Sequence, residues 1–267
     1  MHFGTSAYQK AESRLCIRRS DIFPSCVQCL QALAAPIPAI SLWLCQLDRD
    51  DVEFATLASY LSTAEHHRAA RFGTEVLRRR WITGRACLRE ALGVALGVAA
   101  TRVKLRRGMR GRPELDSSSS YPDFNISHTG DVALIAVGSG LATHERIGVD
   151  LEYGHREVAA DRLARKFLGE RERAAIAALH SDARRRAFLR LWTCKEAMSK
   201  ATGDALSAPF RELDVDIAGA PRLRAGPPPY LPEDWRLLVP EVAPTLIATL
   251  AIWARPARSA TASGKAP

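Results

Sequence analysis

Lysine is scarce in this chain, although the chain is strongly basic. Only six of its 38 basic residues are lysines, and the net charge is +9 with a pI near 9.6. Such an excess of positive charge indicates an anionic partner, such as a nucleic acid, a phosphorylated small molecule, an acidic protein or a membrane surface. Two of the six lysines lie within Leu191 to Lys200, which makes this stretch the first candidate for a specific site.

Other absences exclude whole classes of protein. No run reaches the roughly 18 apolar residues of a membrane span, and the six cysteines form no disulfide ladder. Cys26 and Cys29 make a single CxxC pair, which argues against a zinc site. We therefore expect reduced thiols and a cytoplasmic protein. At 267 residues, the chain can fold as one domain or as two small ones.

Hydrophobic periodicity predicts an α+β chain between two irregular ends. Residues 1–38 are expected to form a poorly ordered N-terminal extension, and residues 257–267 a disordered tail. The predicted helices are 64–72, 74–92, pieces of 156–180 and one around Trp192; the predicted strands are 40–47, 132–137, 147–152, 211–217 and parts of 235–253. The short connection between 132–137 and 147–152 suggests an antiparallel hairpin.

Two predicted helices share a sequence pattern. The corresponding positions are Trp81 and Trp192, Arg85 and Glu196, Ala86 and Ala197, Arg89 and Lys200, and Gly93 and Gly203, with each glycine predicted to end its helix. The pattern predicts two similar subdomains, 39–145 and 146–256, related by a pseudo-twofold axis. Each would be a helix packed on a small, mainly antiparallel sheet. The alternative is chance similarity between two amphipathic helices.

The first of these helices is also rich in arginine. Its arginines are Arg78, Arg79, Arg80, Arg85 and Arg89. Arg85 and Arg89 share a face, and Arg80 lies within reach of it, so one side of the helix is expected to be strongly basic. The alternative is an ordinary solvated surface.

Trp192, Glu196 and Lys200 are spaced four residues apart, so they form one stripe on a helix. A solvated Glu–Lys pair is the simpler interpretation, because surface ion pairs are common and weak. The scarcity of lysine favours a second interpretation, in which the ammonium of Lys200 is a point charge that binds a phosphate.

Asp150 and Glu152 lie two residues apart on a predicted strand, so both carboxylates leave the same face. Two like charges on a largely apolar strand cost energy unless a cation lies between them. Carboxylates and water are ligands that Mg²⁺ prefers, and Glu196 would complete such a site from the helix. The alternative is an edge strand with two exposed acids.

Ser127 and His128 precede the strand predicted at 132–137. Neighbouring residues on a strand point to opposite faces, so the two side chains cannot form a nucleophilic dyad. They fit better as phosphate or ribose contacts, with an ordinary loop histidine as the alternative. Residues 108–113, Gly-Met-Arg-Gly-Arg-Pro, form a glycine-rich basic loop that lacks the lysine-serine pair of a P-loop.

Three motifs, in this order and spacing, resemble those of the 4′-phosphopantetheinyl transferases of the larger, monomeric, Sfp-like class. They are Asn125-Ile126-Ser127-His128, Gly148-Val149-Asp150-Leu151-Glu152, and Trp192-Thr193-Cys194-Lys195-Glu196-Ala197 followed by Lys200. The resemblance covers about residues 40–255. Gly111-Arg112-Pro113 matches the family's Gly-Lys-Pro loop with arginine for lysine, whereas Gly203-Asp204-Ala205-Leu206 departs from the usual Gly-x-Gly-Leu.

The resemblance implies transfer of 4′-phosphopantetheine from coenzyme A to a serine of an apo acyl or peptidyl carrier protein, with release of adenosine 3′,5′-bisphosphate. Mg²⁺ would be held by Asp150, Glu196 and, directly or through water, Glu152. The implied coenzyme A contacts are Arg68, Arg80, Arg112, Ser127, His128, Lys195 and Lys200; the implied catalytic residues are Glu196, Lys200 and His128, with Glu196 as the candidate base. The enzyme would be a cytoplasmic monomer of fatty acid, polyketide or nonribosomal peptide biosynthesis that binds neither nucleic acid nor membrane.

Two alternatives belong to other classes. A basic nucleic-acid-binding protein would explain the charge, but it would not explain three acids converging on one site, and no signature of a nucleic-acid-binding fold stands out. A Mg²⁺-dependent phosphodiesterase would use the same acids with water as the nucleophile.

Overall fold

The computed structural model describes residues 29–108, 111–116 and 121–255. Its six α-helices are α1 (Asp51–Ala58), α2 (Thr63–Ala69), α3 (Glu75–Leu96), α4 (Ala160–Phe167), α5 (Glu170–Ala177) and α6 (Ser181–Thr202). Its strands are β1 (Gln31–Leu33), β2 (Ser41–Gln46), β3 (Leu105–Arg107), β4 (Pro113–Leu115), β5 (Asp123–Thr129), β6 (Val132–Gly138), β7 (Glu145–Tyr153), β8 (Asp214–Asp216), β9 (Arg222–Ala225), β10 (Trp235–Leu238) and β11 (Leu246–Ala254). The prediction of an α+β chain is confirmed.

Two antiparallel sheets organise the chain, one in each half. Sheet 1 has the strand order β1-β2-β6-β5, and sheet 2 has the order β10-β11-β7, while β3–β4 and β8–β9 form small separate pairs. The long helix α3 packs on sheet 1 and the long helix α6 on sheet 2. Each half is therefore a helix on an antiparallel sheet, as predicted. Neither long helix, nor any other in the described ranges, carries an apolar stretch sufficient to cross a bilayer.

The inner strands bury both of their faces. On β6, Ala133 and Ile135 pack toward α3, whereas Leu134 packs between the sheets against Val149 and Leu151 of β7. Strands that are buried on both faces have continuous apolar sequences, and Val132 to Val137 show this pattern. The apolar layer between the sheets joins the two halves.

One of the two long helices ends differently from the prediction. Helix α3 runs past Gly93 to Leu96, and Gly97 caps it with a φ of +66°, a left-handed conformation that glycine adopts readily. Helix α6 ends at Gly203 as predicted. The glycine match in the repeated pattern is therefore wrong, although the two halves share their architecture.

Two further predictions are wrong. Strands β6 and β7 do not pair, because β6 already lies between β2 and β5 while β7 pairs with β11. The short connection carries the chain from one sheet to the other. Residues 29–38 are not wholly an extension, since β1 pairs with β2 and both Cys29 and Leu30 are buried. Residues 1–28 and the predicted tail lie outside the described part.

The basic side of α3 is largely neutralised. Arg89 is buried, and its guanidinium donates to Glu65 at 2.6 and 2.9 Å and to the carbonyl oxygen of Val103 at 2.7 Å. Arg85 lies 3.5 Å from the same carboxylate. The side predicted to be strongly basic is therefore not a free basic surface, because periodicity places both arginines on one face but cannot show that a short helix covers that face.

Candidate functional site

Strand β5 presents a polar row to the edge of β7. The row consists of Asp123, Asn125, Ser127 and Thr129, alternate residues that leave one face of the strand. The Asp123 carboxylate accepts the backbone N–H of Ile147 at 2.7 Å, and the Asn125 amide oxygen accepts that of Val149 at 3.0 Å. These side chains satisfy donors on the edge of β7 that does not pair with β11. The strands that carry Ser127 and Asp150 are thereby fixed side by side.

Lys200, Ser127 and Asp150 meet where α6, β5 and β7 come together. The Lys200 ammonium donates to Asp150 Oδ1 at 2.6 Å and to Ser127 Oγ at 2.8 Å, while Ser127 Oγ donates to Asp150 Oδ1 at 2.8 Å. Gly148 permits this meeting, because a β-carbon there would collide with the backbone of α6 at Ala197. Ser127 and Asp150 are buried, and the Lys200 side chain is 26% exposed, so the cluster opens to solvent on the lysine side.

The second oxygen of Asp150 is left open. Asp150 Oδ2 is buried and has no hydrogen-bond partner, whereas Oδ1 receives both donors. Glu196 lies on the same stripe of α6 as Lys200; burial, and next the charge of Asp150, raise the pKa of its carboxyl group. Two acids that repel each other beside an unpartnered carboxylate oxygen can accept a cation.

Glu152 is engaged differently. One carboxylate oxygen accepts the hydroxyl of Thr129 at 3.1 Å, and the other pairs with Arg156. Asp150 and Glu196 therefore have more free capacity for a metal than Glu152 has. Within the described ranges, no three histidine, cysteine or acidic side chains are already arranged as a metal site.

His128 lies at the end of β5 and is exposed on one side. Its pKa is lowered, first by the protein that packs against the rest of the ring and second by the charge of Lys200. The shift therefore favours the neutral imidazole. It can offer a hydrogen bond to a phosphate oxygen, but not a positive charge.

Lys195 does not join the cluster, although the motif predicted it as a ligand contact. It is five residues from Lys200, which is about 140° around the helix axis. Its side chain is fully buried and donates to Glu172 at 2.6 Å and to the carbonyl oxygens of Phe210 and Phe167 at 2.6 and 3.2 Å. Lys195 therefore links α6 to its own half of the molecule.

Arg112 is also enclosed by protein groups. Its side chain is 6% exposed, and its guanidinium donates to Asp123 and to the carbonyl oxygens of Phe124, Ile147 and Lys200. The predicted contact with coenzyme A is not available to a side chain enclosed in this way.

The two remaining predicted arginines differ from each other. Arg80 is held by Asp48 through two hydrogen bonds of 2.7 Å. Arg68 stacks over Trp81, 5.6 Å from the ring centroid, and its pKa is lowered by burial and then by the charges of Arg107 and Arg71. Neither Arg68 nor Arg107 forms an ion pair with an acid in the described residues, so this cluster can attract an anion.

Arg107 is a candidate that the sequence interpretation missed. It lies at the end of β3, directly before the glycine-rich basic loop of residues 108–113. The loop was the signal available in the sequence, but the sequence does not show that Arg107 lies close enough to Arg68 to lower its pKa. Two cavities of about 390 and 460 Å³ lie elsewhere, and neither is lined by Asp150 or Lys200.

Comparison with known proteins identifies relatives for both halves. A family model described as the 4′-phosphopantetheinyl transferase superfamily matches residues 146–243, and one described as 4′-phosphopantetheinyl transferase, N-terminal, matches residues 48–139. The 4′-phosphopantetheinyl transferase HetI of Nostoc sp. is 37% identical over 180 residues, covering 67% of this chain and 74% of HetI. The protein slr0495 of Synechocystis sp., provisionally named for the same activity, is 32% identical over 181 residues, covering 67% and 71%.

Proposed function

This chain belongs to the 4′-phosphopantetheinyl transferase superfamily, and we propose that it transfers 4′-phosphopantetheine from coenzyme A to a serine hydroxyl of an apo carrier protein. The observation that carries the proposal is the group formed by Lys200, Ser127 and Asp150, with one open carboxylate oxygen beside Glu196. The Lys200 ammonium can bind phosphate oxygens. The acids Asp150 and Glu196 can bind a metal, and an acid of this kind can also accept a proton.

Magnesium fits the acidic side of this group. Asp150, through its unpartnered oxygen, and Glu196 would hold the ion, and Glu152 would act through water because both of its oxygens already have partners. Bound there, the ion would neutralise charge on the pyrophosphate of coenzyme A.

The remaining roles would belong to other side chains. The Lys200 ammonium and a neutral His128 would hold oxygens of the pyrophosphate, and Arg68 with Arg107 would attract the 3′-phosphate. Glu196, directly or through water, would accept the proton of the carrier serine. The serine oxygen then bonds to the phosphorus that bears pantetheine. The bond from that phosphorus to the bridging oxygen breaks, and adenosine 3′,5′-bisphosphate leaves.

Monomeric action in the cytoplasm is part of the proposal. One chain supplies both sides of the site, since Ser127 comes from the first half and Asp150 and Lys200 from the second. Acyl and peptidyl carriers of fatty acid, polyketide and nonribosomal peptide synthesis are the partners to compare. Nucleic acid and membrane are not expected to bind.

The test is a transfer assay with coenzyme A, Mg²⁺ and a panel of apo carriers. The wild type should add phosphopantetheine to a carrier serine, detected as a mass gain, and release adenosine 3′,5′-bisphosphate. Asp150→Asn should abolish both signals, whereas Asp161→Asn, a matched change at an exposed acid, should abolish neither. Release of the bisphosphate without a mass gain would indicate a phosphodiesterase, and neither signal on any carrier would overturn the proposal.

A further inference from the structure

One buried guanidinium touches all three elements that carry the site. Arg112 Nη2 donates to the carbonyl oxygens of Phe124 on β5 at 2.8 Å and Ile147 on β7 at 3.0 Å, and Nη1 donates to the carbonyl oxygen of Lys200 on α6. Nη2 also lies 2.9–3.0 Å from the carboxylate of Asp123. Nε lacks a partner but is itself buried.

The two contacts with the strands lie three residues along the chain from Ser127 and Asp150. Phe124 is three residues before Ser127 on β5, and Ile147 is three residues before Asp150 on β7. Three strand residues span roughly 10 Å, so the guanidinium binds each strand well away from Ser127 and Asp150. It can, however, set where the two strands and the end of α6 stand relative to one another.

The chemistry of arginine suits this task. A planar guanidinium offers five donors in a rigid fork, so one side chain can bind acceptors on three elements at once. An ammonium at the same place would keep the charge opposite Asp123 but would lose the fork. The carboxylate compensates the buried charge, which keeps Arg112 protonated despite the burial that lowers its pKa.

We propose that Arg112 is a positioning residue for the transfer reaction: it holds Lys200, Ser127 and Asp150 in register and does not contact coenzyme A. The proposal rests on the function proposed above. It departs from a ligand role for the Gly-Arg-Pro loop, and it assigns the contact with the 3′-phosphate to the neighbouring Arg107 and to Arg68.

The experiment compares coenzyme A with 3′-dephospho-coenzyme A as donors. Misplacement by about 1 Å can cost on the order of 100-fold in rate, so we expect kcat to fall about 100-fold in Arg112→Ala and about 10-fold in Arg112→Lys. Both donors should be affected equally, with KM for coenzyme A unchanged. Arg107→Ala should instead raise KM for coenzyme A and lose the preference over the dephospho form.

Controls separate positioning from folding. Arg146→Lys changes a second arginine near Asp123, at 3.8 Å, and should leave kcat unchanged. Circular dichroism and thermal melts define a temperature at which each variant is folded, and Arg112→Lys carries the test if Arg112→Ala does not fold.

Three outcomes would overturn the proposal. Loss of donor preference in Arg112→Lys would make Arg112 a phosphate ligand, and a lower melting temperature with normal kcat would make it only structural. Equal kcat losses in Arg112→Lys and Arg146→Lys would show that the loss comes from disturbing Asp123, which both arginines approach, and not from the contacts that only Arg112 makes. A wild type inactive on every carrier is distinguishable, because it refutes the proposed function before any variant is compared.

Discussion

Two lysines of α6 make ion pairs of equal length in different surroundings. Lys195 lies 2.6 Å from Glu172, and Lys200 lies 2.6 Å from Asp150. Around Lys195 every donor and acceptor is used, because Glu172 also accepts the backbone N–H groups of Gly169 and Val215. Around Lys200 one carboxylate oxygen is unused, and the lysine is partly exposed.

The difference shows that an ion-pair distance does not identify a functional site. A closed, fully satisfied pair can only hold elements together, whereas a pair with an open oxygen and access to solvent can still bind a ligand. The next three predictions test this contrast, in order of the expected change in free energy.

Breaking the closed pair should cost the most, and the cost should be in stability. Lys195→Met leaves the Glu172 carboxylate buried without a counter-charge, so we expect the free energy of unfolding to fall by about 3–5 kcal/mol. Urea denaturation measures the loss. Transfer by the folded fraction at low temperature should remain close to wild type.

The matched control changes both partners. Lys195→Met combined with Glu172→Gln removes the uncompensated charge, so it should recover part of the lost stability. A stable Lys195→Met protein with slow transfer would instead move Lys195 into the site and remove the contrast.

Changing the open pair should act mainly on rate. Lys200→Ala removes a fixed positive charge beside the phosphates, so the activation barrier should rise by about 2–4 kcal/mol. Lys200→Arg should recover little, because a planar fork needs different space from an ammonium. Turnover on an apo carrier, with thermal melts alongside, measures both effects. Equal turnover in all three proteins would make this pair a structural contact like that of Lys195.

The smallest effect is expected at Glu196. Its raised pKa means that the charged form opposes folding, so Glu196→Gln should stabilise the metal-free protein at neutral pH, by less than the changes expected at Lys195 and Lys200. The gain should be complete above the raised pKa and disappear as the pH falls through it toward the ordinary pKa of glutamate. Thermal melts across acidic pH, with excess chelator, measure this trend. A gain that does not change with pH would show that the charge is not its cause.

Transfer activity should also depend on the protonation of Glu196, but it should require the charged form that opposes folding. If the Glu196 carboxylate accepts the serine proton, transfer declines at acidic pH as this group becomes protonated. A pH–rate profile of the wild type measures the position of that decline.

Local geometry explains what could be predicted. The stripe of Trp192, Glu196 and Lys200 and the shared face of Asp150 and Glu152 follow from the periods of helix and strand. Similar patterns predicted the helix on a sheet in each half, and the motifs indicated the family. The end of α3 was misplaced, because glycine is tolerated inside a helix and only its conformation at Gly97 marks the end.

The sequence by itself determined which side chains leave each element together, because that depends on backbone periods of a few residues. Only the tertiary structure decided their partners: Asp48 for Arg80, Glu172 for Lys195, and backbone carbonyls of three elements for Arg112. These partners lie up to 88 residues away along the chain. Whether a basic side chain remains free for a phosphate depends on packing between distant segments, which no local pattern records.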